Sequence, residues 1–174
     1  MKKIILATGN PGKVGELNAM LKGHYSVVSQ KDMKVEEVPE TGTSFIENAL
    51  IKARNASLQS KLPALADDSG LEVEALNGEP GIYSARYAGV HGDDQGNNAK
   101  LLRELINIPE GKRSAHFTCA AALVLPDGRE HVTEEIFEGS ILFEPIGDQG
   151  FGYDPLFRPE GLSISSAQMG ADEK

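Results

Sequence analysis

A glycine-rich turn, Thr8–Lys13, stands between an apolar run and a helical pattern near the start of the chain. The run Ile4–Ala7 predicts a short buried strand, and Val14, Leu17 and Leu21 recur at the spacing of one helix face. Backbone N–H groups exposed at a helix N-terminus, together with the positive lysine, favour an anionic ligand such as phosphate. The turn is not a G-x-x-x-x-G-K-[ST] loop, because its spacing differs and valine follows the lysine. An ordinary strand–turn–helix connection is the alternative interpretation.

The composition excludes several classes of protein. The 174 residues suit a single domain over 1–174. The formal net charge of −9 argues against a nucleic-acid polymer as partner, since such a polymer needs an extended basic face. No apolar run is long enough to span a bilayer, and no secretory signal follows the first methionine. We therefore predict a cytoplasmic protein with no membrane partner. Cys119 lies within an apolar run and predicts a buried thiol.

Strand and helix patterns intermix along the chain, which predicts an α/β fold with a mixed sheet. Strand patterns cover 4–7, 25–29, 63–66, 117–125 and 130–137, and 71–76 either continues the third strand or pairs beside it. A helix begins at Ser44, where Glu47 completes a capping box. A second helix covers 98–108, with its inward side formed by Leu101, Leu102, Leu105 and Ile106. The turn 126–128 joins two strands as a hairpin.

Two acidic segments are candidates for a metal site. Asp67-Asp68-Ser69-Gly70 follows a strand, where α/β proteins tend to bind ligands. Because successive strand residues face opposite sides, we expect only one of the two aspartates to enter a given site. Glu40 lies in a loop with a glycine and could supply a second carboxylate, and such hard oxygen ligands suit Mg²⁺. The alternatives are that these acids are solvated or cap helices.

Covalent catalysis and zinc chemistry find no support in the sequence. The four histidines lack close ligand spacing, and Cys119 has no evident partner base. Ser69 and Ser84 lack a G-x-S-x-G turn. The segment Phe151–Asp154 concentrates two aromatic rings beside a glycine, and aromatic faces can stack on a nucleobase. Core filling is the alternative for either ring.

Taken together, these segments resemble the inosine triphosphate pyrophosphatase family, whose members act on noncanonical purine nucleoside triphosphates. The similarity runs from the first strand to the last residue, and its specificity comes from the joint order and spacing of the motifs. The matching segments are 6–13, 40–42, 45–49, 66–71, 80–87 and 150–155.

The resemblance implies a role for each matching residue. Glu40 and Asp68 would hold Mg²⁺, and Asp68 would also accept a proton from the attacking water. Ser69 would touch the substrate, and Lys174 matches a substrate-binding lysine. The triphosphate would be gripped by Thr8, Gly9, Asn10, Pro11, Gly12 and Lys13. The nucleoside pocket would be lined by Phe151, Gly152, Tyr153 and Asp154.

The same resemblance implies an elongated α/β fold, with a central mixed sheet and two lobes around a nucleotide cleft, in a homodimer. The implied reaction is Mg²⁺-dependent hydrolysis of ITP, dITP or XTP to the monophosphate and pyrophosphate, which removes these nucleotides before polymerases use them. Rejection of a 6-amino group would come from donors built for the 6-oxo group.

The family pattern continues beyond this lysine with a serine-histidine-arginine segment and a final helix, which the 174 residues lack. We expect a truncated, cleaved or incompletely described chain, with base selectivity affected more than phosphate and metal binding. Two alternatives therefore stand beside the main hypothesis. One is a non-catalytic or impaired nucleotide-binding protein, and the other is a pyrophosphatase for modified pyrimidine nucleotides.

Overall fold

The computed structural model describes residues 2–170 and residue 173, and at Pro11 it describes the backbone alone. Lys174, the predicted substrate-binding lysine, lies outside the described residues. The strands are β1 (Lys2–Leu6), β2 (Tyr25–Ser29), β3 (Ala64–Val73), β4 (Ser114–Val124), β5 (Glu130–Ile141) and β6 (Phe157–Pro159). The α-helices are α1 (Pro11–Leu21), α2 (Phe45–Ser60) and α3 (Asp94–Glu104). Short 3-10 helices cover Glu74–Leu76, Gly81–Arg86 and Ser166–Gln168.

The strands form one six-stranded sheet in the order β2-β1-β3-β4-β5-β6. Strand β1 runs parallel to both β2 and β3, whereas β5 and β6 are antiparallel. The predicted hairpin is present, since β4 and β5 are neighbours joined by a turn in which the Leu125 N–H donates to the Arg129 carbonyl at 2.9 Å. The prediction of an α/β fold with a mixed sheet is therefore confirmed, whereas the elongated shape and the cleft between two lobes stay predictions.

The chain divides into two compact units. Unit 1 comprises the residues up to Asp68 together with Cys119–Glu135, and unit 2 comprises Ser69–Thr118 together with the residues from Ile136 onward. The core of unit 1 is rich in alanine: Ile5, Ala7, Val35, Ala49, Ala53, Ala56, Ala64, Ala66, Ala122 and Val124. The core of unit 2 has larger side chains: Leu71, Val73, Tyr87, Leu101, Leu105, Ala115, Ile141, Tyr153, Leu156 and Phe157. The prediction that 1–174 forms a single domain remains untested.

Helix α2 begins as its sequence predicts. The Ser44 side chain accepts a hydrogen bond from the Glu47 N–H at 3.1 Å, which caps the first turn. The Glu47 carboxylate reaches back to the Thr43 N–H at 2.6 Å, and this bond holds the pKa of that carboxyl below its usual range. Ala49 and Ala53 on the buried face are small, so the helix can approach the sheet closely.

Of the two alternatives for 71–76, continuation of the third strand is confirmed as far as Val73. The prediction that Asp67-Asp68-Ser69-Gly70 comes after a strand is therefore wrong. These four residues lie inside one continuous strand from Ala64 to Val73. The buried positions are Ala64 and Ala66 before the acidic pair and Gly70, Leu71 and Val73 after it, so burial changes from even to odd numbers at Gly70 and Leu71. That change interrupts the period-two pattern from which a single strand is recognised, which is why the sequence left both alternatives open.

Helix α3 begins and ends earlier than predicted. The Asp93 side chain caps it by accepting from the Gly96 N–H at 3.0 Å, so it starts before Asn98. It ends at Glu104, and the Ile106 side chain, predicted to face inward, is 77% exposed. The helical period therefore stops before Ile106. Among the described residues, no helix combines the length and the apolar character needed to cross a membrane.

Candidate active site

The turn between β1 and α1 is organised by its own side chains. Asn10 is the N-cap of α1, and its Oδ1 accepts from the N–H groups of Gly12 at 2.9 Å and Lys13 at 3.4 Å. The Thr8 hydroxyl oxygen in turn accepts from the Asn10 N–H at 3.2 Å. The expectation of exposed N–H groups therefore needs correction at these positions, because the cap satisfies them.

The lysine of this turn forms an ion pair with Asp67 on β3. Both side chains are largely shielded from solvent, with 24% of Lys13 and 17% of Asp67 exposed. Asp67 was predicted only as a neighbour of the functional aspartate, so this pairing was missed. A contact across 54 positions of the chain leaves no local signal in the sequence.

Asp68 interacts with a different lysine. Lys52 Nζ, from α2, lies 3.0 Å from Glu40 Oε1 and 3.9 Å from Asp68 Oδ1. One ammonium group therefore bridges the two carboxylates that the sequence proposed as metal ligands. We call Lys13, Glu40, Lys52, Asp67 and Asp68 the charged cluster. All five belong to unit 1, and Lys13 also acts electrostatically on Asp68.

Asn48 connects the loop that carries Glu40 with Asp68. This side chain is 1% exposed, and its Oδ1 accepts from the Gly42 N–H at 2.8 Å. A Cβ atom at Gly42 would lie 2.7 Å from that Oδ1, so the close approach requires glycine. Among the described residues, neither Asn48 Nδ2 nor Asp68 Oδ2, both buried, has a hydrogen-bond partner of normal geometry. Asn48 lies in the matching segment 45–49, but no role was predicted for it.

The surroundings of Asp68 favour its protonated form. Desolvation raises the pKa of this carboxyl above its usual range, and the charge of Glu40 adds to the rise. Lys52, the nearby Asn48 amide and Lys13 oppose that rise of the pKa. A carboxylate with a raised pKa and a buried oxygen that lacks a normal partner is suited to accept a proton.

The carboxylates of the charged cluster fit a magnesium ion. Among residues 2–170 and 173, no three His, Cys, Asp or Glu side chains form a group that could hold a metal by themselves. Mg²⁺ needs no such group, because it is commonly held by one or two carboxylates, water and substrate phosphates. Glu40 and Asp68 already share one positive group, the Lys52 ammonium. Among the described residues, Asp68 Oδ2 has no hydrogen-bond partner of normal geometry.

Cys119 is exposed, so the prediction of a buried thiol is wrong. Strand β4 buries the even-numbered residues Thr118, Ala120, Ala122 and Val124, and Cys119 therefore belongs to its other face. Partial desolvation and the Asp67 carboxylate raise the pKa of the thiol, while Lys13 opposes the rise. The thiolate is thus disfavoured, in agreement with the expectation that this cysteine is no nucleophile.

A cavity of about 480 Å³ opens beside the turn, in unit 1. It borders the turn rather than the carboxylates of the charged cluster. Its lining residues are Thr8, Gly9, Val14, Ser29, Gln30, Lys31, Val35 and Glu37.

The segment Phe151–Asp154, which we call the aromatic loop, belongs to unit 2 together with Ser69. Its two rings have different environments. Tyr153 is 4% exposed, and its hydroxyl donates to the Ser84 carbonyl at 2.7 Å. Phe151 is 60% exposed. The Tyr153 side chain therefore packs in the core, as the alternative interpretation has it. The exposed Phe151 side chain is available to stack on a ligand.

Similarity to known proteins extends over almost the whole chain. Residues 4–174 match the model of the Ham1 family. A dITP/XTP pyrophosphatase from Xylella fastidiosa is 51% identical, over all of this chain and 89% of that protein. A dITP/XTP pyrophosphatase from Streptomyces coelicolor is 49% identical, again over all of this chain and 89% of that protein.

Solved structures show the same fold. A nucleoside-triphosphatase / dITP/XTP pyrophosphatase from Mycobacterium abscessus is 49% identical, with a TM-score of 0.86 over 98% of this chain and 90% of that one. A HAM1 protein from Coxiella burnetii is 39% identical, with a TM-score of 0.92 over 99% of this chain and 89% of that one. The chain belongs to the Ham1 family.

Proposed function

We propose that this protein is a nucleoside-triphosphate pyrophosphatase, a hydrolase that cleaves dITP, XTP and ITP to the monophosphate and pyrophosphate. The observation that carries the proposal is the charged cluster, in which Lys13, in the first turn of α1, pairs with Asp67, and Lys52 bridges Glu40 and Asp68. The names of relatives that are about half identical over the whole chain supply the substrate class.

Phosphate binding is assigned to the turn Thr8–Lys13 and to the two lysines. Lys13 and Lys52 are already paired with carboxylates, so binding exchanges one anionic partner for another. Because each lysine gives up a carboxylate in this exchange, the net gain is smaller than the roughly 4 kcal/mol of a unit-charge pair 4 Å apart at an effective dielectric constant of 20. Salt screens the diffuse repulsion from the net charge of −9 beyond about 8 Å.

Glu40 and Asp68 are the residues that would hold Mg²⁺. When bound, the ion would neutralise charge on the phosphate oxygens and on the leaving pyrophosphate. Lys52 bridges these two carboxylates, so a bound cation would compete with its ammonium group for them.

Asp68 acts as the general base. Its carboxylate accepts a proton from water, whose oxygen forms a bond to the α-phosphorus while the bond to the pyrophosphate leaving group breaks. A pKa above the usual range makes this carboxylate a stronger base than an ordinary aspartate. Ser69, the next residue, would contact the substrate.

The aromatic loop is assigned to the nucleoside, with Phe151 as the ring that stacks on the base and Tyr153 as its buried anchor. Discrimination among bases would follow from hydrogen bonds to the 6-oxo group. We also propose a homodimer in the cytoplasm, where these nucleotides would otherwise reach polymerases.

Pyrophosphate release from dITP, XTP and ITP, with dATP as the 6-amino comparison, tests the proposal. We expect one pyrophosphate and one monophosphate per 6-oxo substrate, a rate at least about tenfold lower with dATP, and loss of turnover on chelation of Mg²⁺. Faster hydrolysis of modified pyrimidine nucleotides would favour that class of pyrophosphatase. Calorimetric binding of a non-hydrolysable analogue, without turnover of dITP, would indicate a nucleotide-binding protein that is not an enzyme.

A further inference from the structure

Two side chains of α3 bind both backbone polar groups of one glycine in the aromatic loop. The Gly152 N–H donates to Asp94 Oδ2 at 2.8 Å, and Asn98 Nδ2 donates to the Gly152 carbonyl at 2.9 Å. Asp94 and Asn98 are four residues apart on a helix, so their side chains lie on the same side of it. All three residues belong to unit 2.

The backbone of the aromatic loop has a conformation that needs hydrogen bonds of this kind. Gly152 has a φ of 62°, in the left-handed region that glycine adopts readily. Its neighbour Phe151 donates its N–H to Asp154 Oδ2 at 3.1 Å and projects a ring that is mostly exposed. Bonds that fix the backbone of the loop restrict the directions in which this side chain can project.

We propose that Asp94 and Asn98 are positioning residues for nucleoside recognition, which hold Gly152 so that the Phe151 ring is preoriented to stack on the base. The inference rests on the proposed function, because it takes the aromatic loop as the nucleoside pocket. Neither side chain needs to touch the substrate. A ring fixed before binding loses less conformational freedom on binding, so the contribution is to affinity for the nucleoside rather than to the chemical step.

The adjacent Asp93 is a matched control. Its carboxylate caps α3 through the Gly96 N–H at 3.0 Å, whereas that of Asp94 binds the loop. Asp93→Ala therefore removes a helix cap and lowers the stability of the same helix end without removing the bond to Gly152. Asp94→Asn keeps an oxygen that accepts from Gly152, and serves as the conservative variant.

The test measures kcat and KM for dITP, the inhibition constant of pyrophosphate, and amide exchange of residues 147–156. We expect Asp94→Ala to raise KM about tenfold and Asn98→Leu about threefold, with kcat within about twofold of the parent value. Asp94→Asn should restore most of the affinity, and Asp93→Ala should leave KM unchanged while lowering the melting temperature. Pyrophosphate inhibition should not change, and amide exchange at Gly152 should accelerate in Asp94→Ala and to a smaller extent in Asn98→Leu, but not in Asp93→Ala.

Equal KM values in Asp94→Ala, Asn98→Leu and the parent would overturn the positioning role while leaving the proposed function intact. A parallel loss of pyrophosphate binding would overturn it as well, since the effect would then not be confined to the nucleoside. If the parent protein released no pyrophosphate from dITP, the proposed function would fail first. The exchange measurement would still decide whether α3 holds the loop.

Discussion

The charged cluster of unit 1 is held by ion pairs, whereas the aromatic loop of unit 2 is held mainly through hydrogen bonds to its backbone. In the charged cluster, Lys13 pairs with Asp67, and Lys52 bridges Glu40 and Asp68. In the aromatic loop, the N–H and the carbonyl of Gly152 both form hydrogen bonds with side chains of α3, and the Tyr153 hydroxyl donates to the Ser84 carbonyl. The two candidate subsites thus use different physical means to hold their residues in place.

This difference indicates how each subsite meets its ligand. Under the proposed function, the ion pairs of the charged cluster would be exchanged for contacts with a metal ion and a phosphate chain. The loop would need no such exchange, because Phe151 is already exposed. We therefore expect substitutions in the charged cluster to change turnover and metal dependence, and substitutions around the loop to change affinity.

The largest effect is expected from Asp68→Asn. The amide keeps the shape of the side chain but accepts no proton, so kcat should fall by about 10³-fold, within the usual range for a general base. Asp67→Asn is the matched control, because it changes the neighbouring carboxylate that pairs with Lys13 instead. This control should lower kcat by about tenfold or less. Pyrophosphate release from dITP measures both, and near-normal turnover in Asp68→Asn would exclude the proposed role.

An intermediate effect is expected from Lys52→Met. Loss of a cation near the phosphates should lower kcat by about 100-fold. The same change frees Glu40 and Asp68 from their bridging ammonium group, so a divalent ion should bind more tightly. Calorimetry with Mn²⁺ in the absence of nucleotide measures this second effect independently of activity.

Arg54→Met is the control for Lys52→Met, since Arg54 is a cation of the same helix that pairs with Glu130 at 2.6 Å on an exposed surface. Neither kcat nor Mn²⁺ affinity should change in that variant. Weaker Mn²⁺ binding in Lys52→Met would show that the lysine supports the metal site rather than competing with the ion.

The smallest effect is expected on the pH dependence of folding. Desolvation raises the pKa of Asp68 in the folded state above its value in the unfolded chain, so ionisation of this carboxyl costs stability. The cost is absent below the ordinary pKa of an aspartate and complete above the raised pKa. Asp68→Asn should therefore melt at a slightly higher temperature than the parent at neutral pH. This advantage should disappear as the pH falls through that window.

The test compares the melting temperatures of Asp68→Asn and the parent protein in chelator-containing buffer, at neutral pH and in the acid range. A lower melting temperature for Asp68→Asn at neutral pH would mean that the pairing with Lys52 outweighs the desolvation of the carboxyl. In that case the charged cluster would be a net source of stability.

Local patterns were sufficient for much of the fold. Strand β2 has the predicted bounds, α2 begins after Ser44, and the hairpin of β4 and β5 is present. Each depends on residues close in sequence, namely alternation, a cap or a turn. The predictions for Cys119 and Ile106 were wrong because an apolar residue was assigned to a buried side before the true strand face and helix end were known.

The amino-acid sequence by itself determined the order of α1–α3 and β1–β5, because that order depends on short-range periodicity and residue chemistry, whereas the short strand β6 was not predicted. Tertiary structure decided which charges pair, that β3 is one strand, and which aromatic ring stays exposed. Those outcomes depend on contacts such as Lys13 with Asp67 and Asn98 with Gly152, each joining positions 54 apart. No local pattern encodes such a contact, since it exists only once helices and strands have packed together.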